Sequence, residues 1–169
     1  MVEGSDEARL ADRGRAADIL DLQEGRGSVS LLDQDQVLDL LTDSRRICIV
    51  GASPDRARPS NSVMRYLQHF GYECVPVNPY ARDVLGIPCH ASIEDAVAAT
   101  GSFDIIDVFR RPEHTPAVAE SAVATGARAL WLQLGVVNWE AARIAHDGGL
   151  GVVMDRCTAI EHRRVRARR

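Results

Sequence analysis

ICIVGASPDRARPSNSV, residues 47–63, is the stretch on which the fold turns. Four apolar residues read as a buried strand, Gly51 as a tight turn, and the segment from Ser60 as a helix with Ser60 or Asn61 as its N-cap. A strand, a glycine and a helix are the opening of a dinucleotide-binding fingerprint. The pattern then breaks, because Ala52, Ser53, Pro54 and Asp55 follow Gly51 and the further glycines of G-x-G-x-x-G do not arrive.

Downstream the chain alternates. Apolar strands are expected at 47–50, 73–77, 104–109, 129–134 and 151–154. Helices are expected at 60–70, 92–99, 115–125 and 139–147, with a last one from Thr158, and residues 80–91 are expected as a loop. Ser92 and Asn138 stand where N-caps belong, and Gly71 and Gly126 where helices close. Upstream, LLDQDQVLDLLTDSRR carries an apolar face of Leu31, Val37, Leu38 and Leu41 behind Asp33 as N-cap. Short, continuously apolar strands separated by helices predict a five-stranded parallel sheet covered on both faces, a three-layer, doubly wound α/β domain. Residues 31–165 form this domain. Residues 1–30 are expected as a poorly ordered or loosely docked extension, and residues 166–169 as a basic tail.

The totals agree with one globular domain. The chain has 169 residues, 46% of them apolar and 26% charged, enough to bury a core. A net charge of −4 offers no general attraction to nucleic acid or to a membrane surface, so neither partner is expected. The N-terminus is charged and lacks a signal-peptide h-region, and no apolar run reaches spanning length, so a cytoplasmic protein is expected. All 20 basic residues are arginine. That removes a P-loop lysine and a Schiff-base lysine. Cys48, Cys74, Cys89 and Cys157 form no C-x-x-C pair, and no metal site is expected.

In a doubly wound sheet the ligand lies beyond the carboxyl ends of the strands. At the first end, Gly51, Ala52 and Ser53 either cradle a diphosphate with the amides of the following helix, within reach of Arg56 and Arg58, or simply turn the chain. At the second, an NAD-binding domain carries a carboxylate for the ribose, whereas this chain has Asn78-Pro79, which disfavours NAD. These residues either edge an adenosine or make a plain turn. At the third, Phe109 leads into Arg110 and Arg111, a pair suited to phosphate. At the fourth, Trp131 and Gln133 share a face, Trp131 reading as core and the Gln133 amide as a group for a ligand amide, with Gly135 after it.

Taken in order, VGASPDRARPSNSV, GYECVPVNP, DVFRRPE, WLQLG and VVMDRCTAIEHRR resemble the small stand-alone CoA-binding proteins. These have a Rossmann-like fold similar to the CoA-binding domain of the succinyl-CoA synthetase α subunit. The resemblance runs from about Leu31 to Arg164. It implies coenzyme A as cofactor, with the Gly51 loop on its phosphates, Asn78-Pro79 beside the adenosine, and Phe109 to Arg111 flanking pantetheine and phosphates. Where wider members carry a lysine near the phosphates, an arginine has to substitute here.

Ligase chemistry needs further domains, so the expectation is a non-catalytic module binding CoA or an acyl-CoA, its protein partner unknown. The alternatives are an NAD(P)-linked oxidoreductase or a CoA-dependent transferase. Cys157 is read in two ways. It packs the last helix, or it is a redox thiol near a helix N-terminus that forms a mixed disulfide with CoA. The basic C-terminus, EHRRVRARR, is read as a solvated tail or as a contact for an acidic partner.

Overall fold

The computed structural model describes residues 3–168. Its centre is a parallel sheet of β1 (Arg46–Val50), β2 (Glu73–Val77), β5 (Ile105–Val108), β6 (Ala129–Leu132) and β7 (Gly151–Val153), in the order β2-β1-β5-β6-β7. Two short strands, β3 (Asp83–Val84) and β4 (Ile87–Pro88), make a small antiparallel hairpin inside the segment expected as loop. Pro76 lies within β2, paired opposite Ile49. The position tolerates proline because β2 is an edge strand.

Period-2 alternation sends successive residues to opposite faces. Cys48, Val50, Ile106, Val108, Leu130 and Leu132 join one core. It is closed by α4 (Ile93–Thr100), α5 (Thr115–Ala124) and α6 (Trp139–Asp147). Ile47, Ile49, Ile105, Ala129, Trp131 and Val153 join the other. There the cover is α2 (Gln34–Asp43), α3 (Pro59–His69) and α7 (Thr158–Ala167). The result is the three-layer, doubly wound, Rossmann-like arrangement. Its strand order reverses between β1 and β5, which makes that crevice the switch point.

Local chemistry starts most helices where the sequence indicates. Asp33 forms a full capping box with Gln36, Ser92 accepts from the Asp95 amide, and Asn138 accepts from the Ala141 amide. Helix α3 differs. Arg58 is its N-cap, without a side-chain bond, and Pro59 fills the first turn. Ser60 and Asn61 are buried instead, and they brace the turn before the helix.

Both ends of the described chain are helical. Residues Glu3–Gln23 form helix α1, and the Trp139 indole N–H donates to the Asp18 carbonyl at 3.1 Å. Leu22, Val29 and Leu31 pack against the first core. At the other end α7 continues to Ala167, so the first two residues of the expected basic tail are helical. Arg166 stacks on Phe70 at 4.3 Å and Arg168 pairs with Asp35 at 2.7 Å. Arg169 lies outside the described residues.

Candidate functional site

The carboxyl ends of β1, β5 and β6 open into a cleft of about 690 Å³. Its floor begins at Gly51, whose φ is +81°. A Cβ there would stand 2.8 Å from the Phe109 carbonyl oxygen, so only glycine lets the β1 turn lie against the β5 turn. The turn is clamped from behind. The Asn61 amide donates to the Ser53 carbonyl at 2.9 Å, and the Ser60 hydroxyl accepts from the Ser53 amide at 3.1 Å. Ser53 itself accepts from the Asp55 amide.

Arg58 at the start of α3, and Arg110 and Arg111 beyond β5, line this cleft. None of the three guanidiniums has an ion pair or a side-chain hydrogen bond among the described residues. The arginines at and just before α7 contrast with them: Arg156 and Arg164 both bind Glu161, at 2.8 and 2.9 Å. Burial alone raises the Glu161 carboxyl, but bonds from Arg156 and Gln34 and the charges of Arg156 and Arg164 outweigh it and hold it below its usual range. The described arginines near the C-terminus thus have partners within the molecule, whereas those of the cleft do not.

Arg110 also borders a smaller cleft of about 370 Å³, with Pro79 and His114. The sites expected from the sequence therefore divide. Gly51, Ser53, Arg58, Phe109, Arg110, Arg111, Gln133, Gly135 and Cys157 line the larger cleft. Pro79 lines the smaller one. Ala52 is wholly buried in the second core, and Arg56 is exposed beside neither cleft. Asn78 is a brace rather than a wall. Its amide donates to the Ala52 carbonyl at 2.8 Å, and its oxygen accepts from the Tyr80 amide.

A buried polar cluster lies under the larger cleft and escapes a strand-end reading. Asp107, wholly buried inside β5, accepts from the Gln133 amide at 2.8 and 3.0 Å and from the Thr158 hydroxyl at 2.9 Å. Burial pushes the Asp107 carboxyl up to about 7, against the opposing effect of these bonds. The signal in the sequence is a lone carboxylate in the apolar run Ile105–Val108, in a sheet covered on both faces. Nearby, Asp155 holds a left-handed φ of +56° and accepts from the Gly135 amide, tying the β6 and β7 turns together.

Cys157 is half-buried at the N-cap of α7 and makes no capping bond there. Its basic neighbours are directed elsewhere, Arg156 to Glu161 and His162 into a ring cluster with Tyr66, Phe70 and Tyr72. Cys48 and Cys74 are buried, and desolvation raises both thiols, Cys74 to about 12. A third hollow, about 210 Å³ beside Tyr72 and His162, sits at the amino ends of β1 and β2, opposite the ligand side of such sheets. Among the described residues no group of three or more His, Cys, Asp or Glu is placed to hold a metal ion, and no helix is long and apolar enough to cross a membrane.

Comparison with known proteins gives the family and agrees with this fold. Residues 45–163 match the CoA binding domain family. The uncharacterized protein YneT of Bacillus subtilis (strain 168) is 38% identical over 127 residues, 75% of this chain and 92% of that protein. A hypothetical protein from Pyrococcus horikoshii OT3 has a solved structure that superposes with a TM-score of 0.75 at 36% identity, covering 79% of this chain and 92% of that one. The apo dinucleotide-forming acetyl-coenzyme A synthetase 1 of Ca. Korarchaeum cryptofilum shares the fold. There the TM-score is 0.60 at 21% identity, over 70% of this chain and 28% of that one. The chain belongs to the CoA binding domain family, and a CoA-binding role in general follows from that membership.

Proposed function

We propose that this member of the CoA binding domain family binds coenzyme A, or an acyl-CoA, across the two clefts that meet at Arg110, and holds it without turning it over. The observation that carries the reading is the set of Arg58, Arg110 and Arg111 around the glycine turn, cations without a partner among the described residues. Guanidiniums left unpaired beside a helix N-terminus suit a diphosphate. The diphosphate lies on the Gly51 turn, the adenosine beside Pro79, and the pantetheine arm runs along the larger cleft towards Gln133 and Cys157. Exposed Leu134 and Ile160 at the lip of that cleft offer apolar contact to an acyl group. The lining of the larger cleft, where the pantetheine arm and its thiol lie, contains no carboxylate and no histidine, which supports binding rather than acid–base chemistry at the thiol end.

Calorimetric titration of the full chain with CoA, NAD, NADP and ATP in parallel tests the reading. Micromolar CoA binding with weak or absent NAD binding is the expected result. Binding of NAD or NADP without CoA would overturn it and favour a nicotinamide-linked oxidoreductase.

A further inference from the structure

We propose that Gln133, held by Asp107 and Thr158, is an amide-reading subsite: its carbonyl Oε1 accepts a hydrogen bond from a secondary-amide N–H of the ligand. This rests on the CoA reading, because the pantetheine arm carries such amides.

Gln133 is only 4% exposed, yet it lines the larger cleft. Its Nε2 is fully committed inward. It donates to Asp107 Oδ1 at 2.8 Å, to Asp107 Oδ2 at 3.0 Å and to Thr158 Oγ1 at 2.7 Å. The Thr158 hydroxyl donates in turn to Asp107 Oδ2 at 2.9 Å. Every one of the Asp107 contacts delivers a hydrogen to the carboxylate, which above about pH 7, where it is ionised, can only accept. The carboxylate therefore selects one of the two orientations of the Gln133 amide, with the NH2 inward and Oε1 outward. Among the described residues Oε1 has no partner, while no wholly buried side-chain polar atom lacks one. Oε1 is thus an acceptor that reaches open space at the cleft wall. An acceptor at that wall is open to a donor from a ligand, and the same cleft leads from it to the Gly51 turn.

The competing account is a structural tie between β5, β6 and α7. A tie would affect every ligand of the site alike, whereas a reader affects only ligands with the amide-bearing arm. The test is calorimetry on the full chain with CoA and with the arm-less adenosine 3′-phosphate 5′-diphosphate. Gln133→Met keeps the bulk and removes the acceptor. CoA affinity is expected to fall about tenfold, the scale of one neutral hydrogen bond, with the affinity of the arm-less ligand unchanged. Asp107→Asn is the second variant, and it serves if Gln133→Met fails to fold. Asn is nearly isosteric but can donate or accept, so it releases the Gln133 amide and lowers CoA affinity relative to the arm-less ligand several-fold. Equal weakening of both ligands, or unchanged CoA affinity in both variants, would overturn the subsite while leaving the CoA reading in place. Failure of the unmutated protein to bind either ligand would overturn both.

Discussion

Asp107 is the residue whose burial has the clearest thermodynamic consequence. Its carboxyl is raised from 3.8 to about 7, chiefly by burial, so the folded state keeps a proton that the unfolded chain has already released. The stabilisation from this group is complete below about pH 4 and is lost as pH rises through about 7. Asp107→Asn removes the titration. The stability of the variant relative to the unmutated protein should therefore rise between about pH 5 and about pH 8, by on the order of a few kcal/mol at about 1.4 kcal/mol per pKa unit. Denaturant titrations at both pH values check this; a flat difference would place the Asp107 carboxyl at its ordinary value. At the same scale, Arg110→Ala or Arg111→Ala should weaken CoA binding by about 1–3 kcal/mol, the range of a charge-assisted contact. Unchanged affinity in both would remove the phosphate role from these side chains. Cys157 reports the direction of the arm. On the proposed reading its thiolate attacks CoA disulfide, forms Cys157–S–S–CoA and releases one CoA thiolate. Intact-mass and peptide analysis should find the adduct on Cys157 ahead of Cys89, which follows β4 and lines neither cleft.

Among the elements, α1 shows how a polar segment docks without a continuous apolar face. Besides Leu22, which packs against the first core, its attachment includes Trp139, which donates to the Asp18 carbonyl while its ring lies over Gly27. The ion pair between Arg15 and Glu113 is 3.8 Å long and about half exposed, so it adds little. Gly27 is where the packing is tightest, since a Cβ there would enter the Trp139 ring. Gly27→Ala is expected to destabilise the protein by about 1–3 kcal/mol, as overpacking does, while leaving CoA affinity unchanged. Thermal denaturation and CoA titration of the same sample separate the two effects. Helix α7 makes the complementary point. Its arginines looked available in the sequence, but Glu161 and Asp35 and the Tyr66 and Phe70 rings take Arg164, Arg168, Arg163 and Arg166. A helix rich in one charge is a binding surface only when the fold leaves that charge unpaired.

For the whole molecule, ligand binding and folding are linked. The protein is acidic overall, with a net charge of −4, yet the larger cleft has arginine as its only charged lining. A ligand that binds only the folded state stabilises it by about 2.7 kcal/mol at a free concentration of 100 times its Kd. CoA should thus raise the melting temperature, and added salt should reduce the rise because Arg58 and Arg111 are exposed to screening. A CoA-independent melting temperature at saturating concentrations would contradict the proposed site.

Much of this molecule is local, and that part was legible in the chain alone. The order of strands and helices, the parallel sheet and the caps at Asp33, Ser92 and Asn138 follow from hydrophobic period and from side chains within three residues of the groups they satisfy. Gly51 was legible for the same reason, since a tight turn between an apolar strand and a helix calls for it. The rest depends on residues far apart in sequence. Asn78 reads as a ligand contact until the fold sets its amide on the Ala52 carbonyl, and α1 reads as loose until Trp139 reaches Asp18. Arg58, Arg110 and Arg164 are alike in sequence, and the Glu161 carboxylate beside Arg164 distinguishes them. Asp107, Gln133 and Thr158 form one cluster because β5, β6 and the start of α7 converge there. Local propensity acts over a few residues, whereas the pairing of buried charge is decided by which surfaces the tertiary structure brings together.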